Sequence, residues 1–282
     1  MITLLRRATA VCALSAALAA CGTDRSPQAV PAPVSAPPSR LPAPAPPTLA
    51  PGPAGLTPVF EHGPRTHGRT VALTFDADMT AGQGARAAAG ERFDHPRLIA
   101  TLRALRVPAT VFMTGRWAEQ YPDQARSIGR DPLFEVANHS YSHYAFTPDC
   151  YGLPTVSEER MRSDVERAYA AFRRVGVPEP MPYFRFPGGC YDRRALRALT
   201  PTGVTAVQWD VVGGDAFQTD ADAVVRQVLD GVRPGSVVVL HCTRSAAPAT
   251  ERAVRAIVPG LRREGFRFVK VSELIGAVGD RP

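Results

Sequence analysis

Apolar runs of four or five residues recur along the chain from about Leu56, at positions 71–75, 109–113, 134–137, 182–185, 204–208, 236–240 and 266–269. They are rich in β-branched and aromatic residues and are bounded by Gly, Pro or Asp, which predicts buried strands. Between them the apolar period becomes helical. Leu98, Leu102 and Leu105 share a face, as do Met161, Val165, Ala168 and Phe172. Val254, Ile257 and Leu261 form another stripe, with Gly265 placed to end that helix. Thr219 and Asp222 predict the start of a helix running to about Leu229. Seven strands alternating with helices predict an α/β domain built on a parallel sheet.

Polar residues collect at the carboxyl ends of these runs. Asp76 and Asp78 follow the first, His139 and His143 the third, Trp209 and Asp210 the fifth and His241 the sixth, while Arg185 ends the fourth. An open sheet concentrates its site at one crevice, whereas an α/β barrel builds it from the ends of several strands. Contributions from five strands favour a distorted (β/α) barrel of about seven parallel strands.

The chain ahead of residue 57 has no such pattern. It opens with a short basic segment ending in Arg6-Arg7, then an apolar run from Ala8 to Ala20 that is too short to span a membrane. These features predict an export signal over residues 1–20. Small residues directly before Cys21 resemble the bacterial lipobox, which implies cleavage there and a lipid on the Cys21 sulfur. From Arg25 to Leu56 the chain holds 11 prolines, so residues 21–56 are expected to be an extended spacer reaching on the order of 100 Å. A single catalytic domain follows, from residue 57 to 282. The chain is expected outside the cell membrane, lipid-anchored and facing the cell wall or periplasm, and to act as a monomer.

Charge excludes one partner class. The formal net charge is +7, but the arginines are scattered over helix faces, which argues for solvated surfaces rather than a nucleic-acid groove. Export permits disulfides. Cys150, Cys190 and Cys242 remain besides the anchor, so at most one internal bridge forms, and Cys150–Cys190 is the expected pair.

The candidate chemistry centres on Asn138-His139-Ser140-Tyr141-Ser142-His143. Histidines four residues apart can aim two imidazoles at one point and ligate zinc or a similar divalent ion. Asp76 and Asp78 supply carboxylates that could ligate such an ion or take a proton from water. Arg185, just before Pro187-Gly188-Gly189, could keep a carboxylate ionised while a glycine N–H approaches an oxyanion. His241, after a very apolar strand, could serve as a general acid.

Taken together, Thr74-Phe75-Asp76, residues 109–115, the 138–143 stretch, Arg185-Phe186-Pro187-Gly188-Gly189 and Leu240-His241 resemble the polysaccharide deacetylases of the NodB homology type, carbohydrate esterase family 4. The resemblance covers roughly residues 70–275. It implies a seven-stranded distorted barrel, a divalent metal (usually zinc) and hydrolysis of N-acetyl groups on sugars such as N-acetylglucosamine. Carried over, His139 and His143 become metal ligands and Asp76 the general base, oriented by Arg185. His241 becomes the general acid, and the Gly188 N–H helps to hold the oxyanion.

The chain departs from the family pattern twice. Ala77 stands where the family places its third ligand, and Asp78 is the expected substitute. Val212 stands where an aspartate would support His241, leaving Asp215, or else Asp210, as the replacement. Two other readings stay open: an O-acetyl esterase acting on polysaccharide, and a wall-binding lipoprotein on a decayed barrel.

Overall fold

The computed structural model describes residues 45–66 and 68–279. The expected signal, the expected lipid site at Cys21 and most of the expected spacer lie outside the described residues. Among the described residues nine parallel strands form the sheet: β1 (Val59–Phe60), β2 (Thr70–Ala77), β3 (Ala109–Met113), β4 (Phe134–Asn138), β5 (Tyr183–Phe184), β6 (Thr205–Val207), β7 (Val211–Val212), β8 (Ser236–His241) and β9 (Arg267–Phe268). All seven expected runs are strands, and β1 and β7 are additions of two residues each. Neither addition was legible, because two residues carry no period.

The strand order is β1-β6-β5-β4-β3-β2-β8-β7, with β9 paired to the start of β2. β6 and β7 lie near opposite edges of this order but are joined by Gln208, Trp209 and Asp210 alone. Three residues span only about 10 Å. The two edges therefore face each other, and the sheet is curled into a barrel that the chain itself crosses at its seam.

Helices α1 (Gln83–Ala88), α2 (Pro96–Ala104), α3 (Gly115–Gln120), α4 (Pro122–Gly129), α5 (Glu158–Val175), α6 (Arg193–Leu199), α7 (Ala221–Gly231), α8 (Thr250–Arg263) and α9 (Val271–Gly279) connect the strands. The predicted stripes are their buried faces: Met161, Val165, Ala168 and Phe172 of α5, and Val254, Ile257 and Leu261 of α8. Gly265, with φ of +83°, follows the end of α8 as expected. The start of α7 differs from expectation. Asp220 caps it, its carboxylate accepting from the Asp222 N–H at 2.9 Å, and Thr219 lies one residue too early.

Strand alternation sorts β2 into two faces. Leu73, Phe75 and Ala77 join Met79 in the layer between sheet and helices, while Thr74 and Asp76 turn into the barrel. The barrel floor is closed by α9. Its first N–H groups, at Val271 and Ser272, donate to the Thr110 hydroxyl and to Glu135 at 3.0 and 3.1 Å. Above the floor lies an apolar plug that includes Ala72, Phe112, Tyr183 and Val237. The polar site sits on that plug. Within the stretch expected as spacer, Leu49 packs against this cluster and the Pro47 carbonyl accepts from the Tyr183 hydroxyl at 2.7 Å. That stretch is therefore docked on the barrel by Pro47, ahead of the expected boundary at residue 57.

Candidate active site

Asp76 lies on β2 opposite His241 of β8 in register. Next to the plug, Arg185 is fully buried directly after β5. Its Nη1 donates to Asp76 Oδ1 at 2.7 Å and to the Thr74 hydroxyl at 2.8 Å. Its Nε and Nη2 donate to the Val207 and Gln208 carbonyls at 3.2 and 3.3 Å. The guanidinium carbon stands 4.0 Å from the centre of the Phe112 ring. Burial opposes ionisation of Asp76. The charges of Arg185, His139 and His241 and the hydrogen bond from Arg185 outweigh it, so the carboxyl titrates below its ordinary range.

The histidine pair sits on a turn made by its own side chains and by α3 and α5. The Asn138 amide donates to the Val165 carbonyl and its oxygen accepts from the Ser140 N–H. Asp164 of α5 accepts from the Tyr141 and Ser142 N–H groups and from the Ser142 hydroxyl. The Gly115 N–H donates to the Ser140 carbonyl at 3.0 Å. A Cβ at Gly115 would lie 2.4 Å from the Tyr141 ring, so only glycine allows this approach. Ser140 and His143 take φ of +69° and +56°, left-handed values that cost a side chain free energy and gather at functional sites.

Orientation decides what His139 can do. Its Nδ1 lies 2.9 Å from the Arg185 carbonyl, which can only accept, so Nδ1 carries the proton. Nε2 of the neutral ring then presents a lone pair. It faces Asp76 Oδ2 at 3.6 Å. Two acceptors facing each other across that gap fit a cation between or beside them. The His139 and His143 ring centres are 5.0 Å apart. Burial, chiefly, holds both rings down to pKa values of about 4, so they are neutral at pH 7, as ligands must be. Asp78 shares the inward face with Asp76 and is 7% exposed, and burial pushes its carboxyl up. The two imidazoles thus fit a divalent ion. Among the described residues, no three His, Cys, Asp or Glu side chains are drawn to a single point, so the third arm is not closed.

Asp215 and His241 form the opposite wall. Asp215 Oδ1 lies 2.9 Å from His241 Nδ1, and Oδ2 accepts from the His241 N–H at 2.8 Å and from the Thr250 hydroxyl at 2.6 Å. Burial works against the imidazolium. The Asp215 charge and hydrogen bond, with help from Asp76 and Asp78, reverse this and raise His241 to about 9. Of the two expected supports, the structure brings Asp215 to His241. Asp210 instead binds Arg65 at 2.7 Å and the Ser236 hydroxyl and Val237 N–H at 2.8 and 2.7 Å, at the far end of β8. Thr74, Asp164 and Thr250 were not anticipated. Thr74 shares the face of Asp76 two residues on, a signal that strand period contains. Asp164 and Thr250 reach the site from helices, and no local pattern points to them.

Gly188 takes φ of +67° beside the cleft, and a Cβ there would lie 2.6 Å from Cys150 Sγ. Cys150 and Cys190 are joined in a disulfide, and Cys242 is free and buried. A cleft of about 400 Å³ opens above these groups, its floor formed by Asp76, Asp78, His139, His143 and His241.

A family model described as polysaccharide deacetylase matches residues 63–207, just over half of the chain. The chain belongs to the polysaccharide deacetylase family. This deacetylase is similar to a chitooligosaccharide deacetylase from a Bradyrhizobium strain, 29% identical over 218 residues, covering 73% of this chain and 90% of the relative. It is also similar to the crystal structure of a peptidoglycan N-acetylglucosamine deacetylase, with 25% identity and a TM-score of 0.65 over 80% of this chain and 96% of that one. A family 4 acetyl xylan esterase from Clostridium thermocellum, in complex with a cobalt ion, shares the fold. Its TM-score is 0.59 at 22% identity, over 74% of this chain and 92% of that one. The family is one of hydrolases, and the parallel barrel of this deacetylase is the fold it shares with these two solved structures.

Proposed function

We propose that this deacetylase removes N-acetyl groups from an extracellular polysaccharide containing N-acetylglucosamine, of the peptidoglycan or chitin-oligomer kind. The supporting observation is the division of the cleft into two walls of opposite proton bias: Asp76, held ionised by Arg185, faces His241, held protonated by Asp215. His139, His143 and Asp78 would hold a divalent cation, and two imidazoles with one carboxylate suit zinc. When bound, the cation supplies Lewis acidity toward the acetyl carbonyl and toward water.

The chain's own residues then do the rest. Asp76 takes a proton from the water that attacks the acetyl carbon, and Arg185 keeps that carboxylate available. The Gly188 N–H donates to the oxyanion that develops. His241 gives its Nε2 proton to the departing nitrogen as the carbon–nitrogen bond breaks, while Asp215 holds its Nδ1–H. Acetate and a free amine on the sugar are the products. The signal-like segment and Cys21 support export and a lipid anchor, with the Pro-rich stretch holding the barrel off the membrane.

Acetate release from N-acetylglucosamine oligomers and from isolated peptidoglycan, with and without chelator and added zinc, tests this reading. Release that chelator abolishes and zinc restores is expected. Absence of release from every N-acetylated substrate, with zinc bound stoichiometrically, would refute it.

A further inference from the structure

We infer that Tyr151 and Phe217 form a platform on which a sugar ring of the substrate stacks, at the mouth of the catalytic cleft. Among the described residues three large apolar side chains stand out of the surface: Tyr151 and Phe217, each 74% exposed, and Val212 at 41%. Single exposed apolar residues are ordinary. Here all three border the same cleft, the one floored by Asp76, His139 and His241. Val212 and Phe217 belong to one stretch, but Tyr151 lies about sixty residues earlier, so the fold and not sequence proximity brings the two rings together. The Tyr151 and Phe217 rings lie 5.9 Å apart between centres, inclined by 45°.

The backbone holds these rings out against the hydrophobic effect. Asp149 and Tyr151 have φ of +58° and +50°, left-handed values unfavourable for residues with a Cβ. The Leu153 N–H closes the turn onto the Cys150 carbonyl at 3.0 Å, and Ala145 and Thr155 bridge its base. The Cys150–Cys190 disulfide ties this turn to the loop carrying Gly188 and Gly189. Phe217 lies two residues beyond Asp215, its N–H donating to the Gly214 carbonyl at 3.0 Å. Each ring is thus anchored to one wall of the site.

A pyranose matches this rim. Its axial C–H face is apolar and its edge carries hydroxyls, so one face stacks on aromatic carbon while the acetylated neighbour reaches the polar floor. A lipid chain entering here would meet buried carboxylates and imidazoles. The inference rests on the deacetylase reading: the ring that stacks belongs to the sugar beside the one losing its acetyl group. The platform therefore favours a sugar that has a neighbour over a single sugar.

The test compares kcat/KM of the full chain on N-acetylglucosamine and its oligomers up to the hexamer, for the wild type, Tyr151→Ala, Phe217→Ala and their conservative partners Tyr151→Phe and Phe217→Trp. The expected result is that the wild type prefers oligomers to the single sugar and that each alanine variant lowers the dimer-to-monomer ratio about fivefold to tenfold, mainly through KM. The conservative variants restore the ratio, because a ring and not a hydroxyl is required. If the alanine variants keep the wild-type ratio, the platform is overturned and the deacetylase reading stands. If the wild type releases no acetate from any oligomer, the deacetylase reading fails, and calorimetric titration with the hexamer decides the platform separately. Binding by the wild type that both alanine variants lose supports the platform, and absence of wild-type binding, or equal binding by all variants, overturns it.

Discussion

The two walls of the cleft are built from the same parts, a carboxylate and a cationic side chain joined by a short hydrogen bond, yet they hold protons in opposite ways. On the Arg185 wall the cation is the fixed member. It is wholly buried, its donors are spread over Asp76, Thr74 and two carbonyls, and a guanidinium does not lose its proton. Asp76 therefore titrates low. On the His241 wall the carboxylate is the fixed member. Asp215 accepts from a backbone N–H and a hydroxyl besides facing the imidazole, and the imidazole side chain is 23% exposed. His241 therefore titrates high. Which partner is pinned by further hydrogen bonds decides whether a dyad takes a proton or gives one.

Breaking the pinned member of the first wall has the largest expected effect. Arg185→Ala leaves Asp76 buried without its partner and is expected to cost about 3–5 kcal/mol of stability, with activity lower by on the order of 10³-fold. Arg185→Lys does not rescue it, since a single ammonium cannot reach acceptors arranged around a planar fork. Denaturant unfolding beside acetate release measures both, and a variant of near-native stability would show that the wall is not organised by this ion pair.

The matching change on the other wall is Asp215→Asn. It keeps the shape but removes the charge that raises His241, so kcat/KM is expected to drop about 10²-fold. The alkaline limb of its pH profile should move down from about 9 toward the ordinary imidazole value of 6.5. The same shift affects stability. A raised pKa stabilises the fold fully below the unfolded value and loses that contribution as pH rises through about 9. The gap in melting temperature between wild type and Asp215→Asn should accordingly be widest below pH 6.5 and narrow toward pH 10. Asp76, titrating low, works in the other direction: its contribution is present above the unfolded value of 3.8 and is lost as pH falls below it. An alkaline limb that stays in place would separate His241 from the acid step.

A smaller effect concerns where the third ligand can stand. Ala77 is buried in the layer between sheet and helices with Phe75 and Met79, while Asp78 is on the cleft side. Restoring the family's residue with Ala77→Asp is expected to place a carboxylate in that apolar layer. This should cost about 2–4 kcal/mol and gain no metal affinity. Asp78→Ala is expected to leave stability within about 1 kcal/mol and to weaken zinc binding by on the order of 100-fold. Calorimetric zinc titration and thermal melts distinguish the two, and tighter zinc binding by Ala77→Asp would overturn the assignment to Asp78.

Strand runs and helix stripes were legible because burial on two faces or on one leaves a period. The residues at strand ends were legible because chemistry-bearing side chains interrupt those runs. Asp215 was only half legible: it and Asp210 flank the same short strand, and only the parallel pairing of β7 with β8 sends one to each end of β8. The short strands β1 and β7 have no period, and the Pro-rich approach past Pro47 gave no sign of docking because prolines that pack and prolines that space look alike in sequence. Thr250 and Asp164 are supplied by helices remote in the chain, so only the fold brings them near.

Thr250 therefore gives the most sensitive comparison of the two walls. Its hydroxyl is one of two donors that pin Asp215 Oδ2, as Thr74 is one of the groups sharing Arg185 on the opposite wall. Thr250→Val keeps the shape and removes one hydrogen bond to a carboxylate, which is expected to cost about 1–2 kcal/mol of stability. Asp215 still faces His241 through its other oxygen, so kcat should fall only about threefold. With one less donor Asp215 is a stronger acceptor, and the alkaline limb should stay near 9 or rise slightly, the reverse of Asp215→Asn. Should Thr250→Val shift the limb downward as Asp215→Asn does, the proton bias of this wall would depend on holding Asp215 in place more than on its charge.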